Sequence, residues 1–168
     1  MSYLETPTRY TTVNNQKIAY RELGEGNSDI PLVMLVHLAA TMDDWDPKLL
    51  DLLAERQHVI VMDLPGVGSS EGSVATTIPG MAHQAAEIIQ ALGYQKVNLL
   101  GLSMGGMIAQ EVVRAYPALV NRLVLVGTGP RGGAGIDAVT GTTFGYMARA
   151  AREKISPKRY IFYTHDAQ

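Results

Sequence analysis

Four short apolar runs constrain what this chain can fold into. They read PLVMLVH (31–37), HVIVMDL (58–64), KVNLLG (96–101) and RLVLVGT (122–128). Each is nearly continuous, whereas a strand wetted on one face alternates polar with apolar. The longest apolar stretch, IPLVMLVHLAA, is far short of the roughly 20 residues that a membrane helix needs. Runs of this kind are strands covered on both faces, which is the situation of a parallel sheet sandwiched between helices.

Helical signals lie between them. Asp46 is placed to cap a helix with Pro47 in its first turn, and Trp45, Leu49, Leu52 and Leu53 are expected on its buried face. Thr77 or Ile78 to Leu92 puts Met81, Ala85, Ile88, Ile89 and Leu92 at helical spacing, with Gly93 as terminator. Met104 to Tyr116 is a third helix, closed before Pro117. Ahead of all these, RYTTV and KIAYREL flank Asn14-Asn15, a hairpin signal. The alternation predicts a mainly parallel, doubly wound α/β sheet. Residues 1–135 read as this core. Residues 136–168, where the composition changes and Arg149, Arg152, Lys154, Lys158 and Arg159 gather, read as the start of a helical cap with one solvated basic face.

Composition excludes several classes of function. The net charge of -2 gives no general attraction to nucleic acid or to an anionic membrane. Without cysteine there is no disulfide, thiol nucleophile or cysteine metal site. The opening MSYLETPTRY has neither the basic start nor the apolar centre of a secretory signal, and a cysteine-free chain suits the cytoplasm.

The chemistry is concentrated in LLGLSMGGMIAQE (99–111). Residues 101–105 fit G-x-S-x-G between a strand and an amphipathic helix, the setting of a nucleophile elbow. Gly101 and Gly105 are needed where any side chain would strike the neighbouring strand or helix. Ser103 then stands on a strained turn above the carboxyl edge of the sheet. The N–H of Met104 opens the helix, where amides lack partners and the dipole is positive, so it can hold an oxyanion.

Taken with VMLVHLAATMDDWDP, VIVMDLPGVGSS and VNRLVLVGTGP, this segment resembles the α/β-hydrolase superfamily from about residue 10 to residue 135. The nearest branch is the esterase- and cofactor-free-haloperoxidase-like group. The resemblance implies an α/β-hydrolase fold with Ser103 as nucleophile and no cofactor. It also implies a second oxyanion N–H in the loop after the third strand, which by position is that of Ala39. Many members have His-Gly there; this chain has His37-Leu38-Ala39-Ala40.

The superfamily's order is nucleophile, acid, then histidine. Where some members carry the acid, this chain has Thr128-Gly129-Pro130. Of its four histidines, His37 reads as structural, His58 lies at the opposite sheet edge, and His83 lies on a helix surface or boundary. His165, beside Asp166, is the one histidine after Ser103, and no strand–loop is read that places it over the sheet edge. The chain is therefore expected to be the N-terminal part of a longer hydrolase, C-terminally incomplete. Its strand 122–128 would be an exposed apolar edge, apt to recruit another strand by dimerising, swapping or pairing with a C-terminal piece.

Other constellations carry less. GVGSSEG (66–72) is one residue too long for the dinucleotide pattern. Asp43, Asp44 and Asp46 are explained by helix capping rather than as metal ligands. The readings kept open are a serine hydrolase of small esters or similar acyl substrates, a non-catalytic binding module on the same scaffold, and a cofactor-free perhydrolase.

Overall fold

The computed structural model describes residues 2–162. The first unit, residues 1–129, is built on six strands: β1 (Arg9–Val13), β2 (Gln16–Leu23), β3 (Leu32–Leu35), β4 (Val59–Met62), β5 (Val97–Leu102) and β6 (Val120–Val126). They lie in the order β1-β2-β4-β3-β5-β6. β1 and β2 form the hairpin, with Asn14 and Asn15 at φ 50° and 63°, as a tight two-residue turn requires. β2 runs antiparallel to β4, and the pairs β3–β4, β3–β5 and β5–β6 are parallel.

Both faces of the central strands are covered, which accounts for the continuous apolar runs. Val33, Leu35, Ile60 and Met62 pack towards α2 (Ile78–Ala91) and α3 (Met104–Ala115), against Ile88, Ile89, Ile108 and Val112. The alternate residues Met34, Val59 and Val61 pack on the other face with Tyr3, Trp45 and Leu50, where α1 (Pro47–Ala54) lies. The helices α1 and α2 each start at a side-chain cap. Asp46 Oδ1 accepts from the N–H groups of Lys48 and Leu49 at 2.8 and 3.2 Å, and Thr77 Oγ1 accepts from Gly80 N–H at 3.1 Å.

The buried stripe of α1 differs from the one expected. Leu50 is fully buried and Leu53 and Ala54 pack beside it, while Leu49 and Leu52 are 42% and 55% exposed. Trp45 is buried, but it precedes the helix and does not share its phase. Counting the stripe from Trp45 therefore shifts it by one residue.

β6 ends the sheet. Val124, Leu125 and Val126 are all more than 40% exposed. No helix among the described residues is long and apolar enough to cross a membrane. The second unit, residues 130–168, contains α4 (Ile136–Glu153) and α5 (Lys158–Phe162). Within it the Arg149 guanidinium lies 4.6 Å from the Tyr160 ring centre and 3.0 Å from Glu153.

The phase of α1 is directly testable. Leu50→Ala should cost about 2–5 kcal/mol in urea unfolding, and Leu49→Ala within about 0.5 kcal/mol. Equal losses would contradict the stripe.

Candidate active site

β5 ends at Leu102 and α3 begins at Met104, so a single residue makes the turn. That residue, Ser103, has φ 55° and ψ −117°, a region costly for any residue with a Cβ. Its backbone is fixed on three sides. Its N–H donates to Val126 of β6 at 2.9 Å, and its carbonyl accepts from Gly106 N–H at 2.9 Å and from the Thr128 hydroxyl at 2.7 Å. Its own hydroxyl makes no capping bond to the helix. The amide of Met104 opens α3, where first-turn N–H groups have no acceptor within the helix.

The glycines permit the turn by letting backbones touch. A Cβ on Gly101 would come within 2.5 Å of the Gly106 Cα. One on Gly105 would lie 2.6 Å from the Leu35 carbonyl carbon and the Val36 oxygen, so the first turn of α3 rests on the end of β3. Gly106 is equally tight, since a Cβ there would sit 2.6 Å from the Thr128 methyl. Sequence reading singled out the first two of these glycines and missed the third. It also took Thr128 only as a place where a carboxylate is absent.

The loop after β3 comes to the same rim. Ala39 has φ 57°, while Leu38, standing where glycine is common, does not take a left-handed conformation. His37 Nδ1 lies 2.9 Å from the Leu38 carbonyl oxygen, a contact inside the loop. Five described non-glycine residues have positive φ. Two are the hairpin asparagines and one, Lys154, ends α4. The remaining two are Ala39 and Ser103. Strain of this kind persists only where the surroundings impose it, and it gathers at functional sites.

Ala39 and Met104 both line one cavity of about 380 Å³, whose wall also includes Leu38, Val74, Met81 and Ile108. A broader depression of about 600 Å³ is lined by Gln90, Tyr94, Tyr116 and Leu119, at the far ends of α2 and α3 and away from Ser103. The buried carboxylate residue Asp63 also lines the first cavity. Burial raises its pKa, opposed by N–H groups donated from Met42 and Ser69. Sequence reading missed Asp63 as well. Its signal was a single charge at the carboxyl end of the apolar run 58–64.

The histidines are spread apart. His37 lines the cavity. His58 immediately precedes β4, at the amino edge of the parallel strands, with Nε2 3.4 Å from Glu22. His83 lies on α2, bonded to the Tyr116 hydroxyl and 3.5 Å from Glu87. His165 and Asp166 fall outside the described residues. Asp44 accepts from Thr41 N–H, Asp43 pairs with Arg21 at 2.6 Å, and Asp46 caps α1. Among the described residues no three acidic or histidine side chains gather as a metal site.

Comparison with known proteins bears on the fold. Residues 31–153 match the family model described as alpha/beta hydrolase fold. The (E)-2-((N-methylformamido)methylene)succinate hydrolase of Acinetobacter baylyi is 35% identical over 114 residues, covering 67% of this chain and 42% of that protein. A poly(3-hydroxyalkanoate) depolymerase of Ectopseudomonas oleovorans is 32% identical over 136 residues, covering 80% and 44%. An alpha/beta hydrolase fold protein from Chitinophaga pinensis superposes with a TM-score of 0.84 at 34% identity, over 95% of this chain and 55% of that one. The chain thus spans about four-tenths of the length of these curated relatives.

Two substitutions test the strain and the close approach. Ser103→Gly should raise stability by about 1 kcal/mol, a gain of roughly 2–4 °C in Tm. Gly105→Ala should lower it by about 2 kcal/mol or more through overpacking. Thermal melts that rank these two variants in the opposite order would contradict the geometry.

Proposed function

Because the chain belongs to the α/β-hydrolase fold family, we propose that Ser103 is the nucleophile of a hydrolase acting on a small ester or similar acyl substrate. One observation carries the reading: a serine held at φ 55° directly ahead of the first amide of a helix. Its Oγ attacks the substrate carbonyl carbon. The oxyanion that forms accepts hydrogen bonds from the N–H groups of Met104 and Ala39. Collapse releases the alcohol and leaves an acyl-serine, and water then releases the acid and restores Ser103.

The cavity favours an uncharged substrate. Leu38, Val74, Met81, Met104 and Ile108 give it apolar walls, and both oxygens of Asp63 are engaged by backbone N–H groups. Among the described residues this wall holds no lysine or arginine to pair with a free carboxylate on the substrate. The base that takes the serine proton, and the acid that orients it, are assigned to parts of the fold beyond these residues. The relatives' greater length supports that assignment. The exposed apolar edge of β6 is proposed as the place where a further strand joins.

A second reading is a binding module on the same scaffold. It is favoured by the lack, among the described residues, of a histidine and a carboxylate in the family's order. The two readings separate on one experiment. A fluorophosphonate probe should label Ser103 slowly, since oxyanion donors alone retain a fraction of catalysis, and Ser103→Ala should abolish the labelling. A wild-type chain as inert as Ser103→Ala, with alkyl-ester binding unchanged by the substitution, would favour the binding module.

A further inference from the structure

β4 ends in a carboxylate that joins two loops. Asp63 is 2% exposed. Its Oδ1 accepts from the N–H of Met42 at 2.7 Å, and its Oδ2 from the N–H of Ser69 at 3.1 Å. Its backbone carbonyl accepts from the Ser70 hydroxyl at 2.7 Å, and its N–H donates to Ala19 at 3.0 Å. Gly68 packs so closely that a Cβ there would lie 2.7 Å from the Asp63 Cγ. One side chain thus spans from the loop after β3 to the loop after β4.

Met42 is fixed at every group it has. Besides the bond to Asp63, its carbonyl accepts from the Tyr3 hydroxyl at 2.5 Å, and its side chain is buried. Between β3 and this fixed point runs the segment that contains Ala39, a left-handed alanine. Such a conformation costs about 1–3 kcal/mol and relaxes unless both flanks are held. β3 holds one flank, and the Asp63–Met42 bond holds the other together with the capping bonds between Thr41 and Asp44.

A buried carboxylate is an expensive pin. A neutral amide would avoid the desolvation but would offer one acceptor oxygen in place of two. The two loops are held together because both oxygens accept.

We propose that Asp63 is a positioning residue: through Met42 it holds the Ala39 N–H at the cavity rim, where the oxyanion forms. This rests on the reading of Ser103 as nucleophile, and it adds a residue that acts on the reaction without touching the reacting atoms.

The 168-residue chain tests this in two ways. The first is fluorophosphonate inactivation, with the maximal rate and the probe affinity measured separately. Asp63→Asn should lower the maximal rate about tenfold, the effect of roughly 1.4 kcal/mol of lost transition-state stabilisation, and leave the affinity within about twofold. Melts of both proteins would establish that each is folded at the assay temperature. An unchanged maximal rate, or a loss shared with affinity, would overturn the proposal.

The second uses the wild-type protein alone. In an NMR titration the Ala39 and Met42 amide signals should move together, with the midpoint of the Asp63 side-chain carboxyl signal. Observing that carboxyl directly separates it from Asp43, Arg21 and Tyr3, the charged or titratable groups that act on it electrostatically, and from His37 in the same cavity wall. An Ala39 signal that stays still while Met42 moves would refute the coupling. If the wild type is not labelled at all, the nucleophile reading fails, and the titration still decides whether Asp63 positions Ala39.

Discussion

The contact on which the rest of the structure depends is that of one backbone against another: the first turn of α3 resting on the end of β3 at Gly105. Nothing with a side chain fits there. The approach brings the α3 amino terminus beside the loop after β3, so Met104 and Ala39 line one cavity. It also leaves one residue to turn the chain between β5 and α3, and that residue takes up the strain. The glycines of this segment provide proximity rather than flexibility. Gly101 and Gly106 close the other sides of the same wedge, against α3 and Thr128 respectively.

Strain at Ala39 and at Ser103 has an energetic meaning. Ala39 and Ser103 each sit in conformations that an L-residue enters at a cost of about 1–3 kcal/mol. The surrounding hydrogen bonds offset that cost, from Val126, Gly106 and Thr128 around Ser103, and from Asp63 and Tyr3 around Met42. Under the proposed reading, donors held in this way would need no rearrangement when charge develops in front of them, which is the condition for electrostatic stabilisation of a transition state.

The parts of this arrangement legible in the sequence are those encoded locally. Apolar runs mark β3 to β6, Asn14-Asn15 marks the hairpin turn, and five consecutive residues mark the elbow. The parts that were not legible depend on partners distant in sequence. Asp63 meets Met42 across 21 residues, and Thr128 meets Ser103 across 25. No short window relates either pair, so a buried aspartate looks like the last residue of a strand and a threonine like part of a loop. The shifted face of α1 has a different cause: Trp45 is apolar and adjacent but belongs to the segment before the helix, so it gives the wrong starting phase.

β6 does more than close the sheet at one side. Its Val126 carbonyl is the acceptor for the Ser103 N–H, so the outermost strand is one hydrogen bond from the hydroxyl-bearing residue. A further strand paired with its free margin would hold the Ser103 turn from outside, through the Val126 carbonyl. The margin of the sheet and the turn at its centre thus share one backbone hydrogen bond.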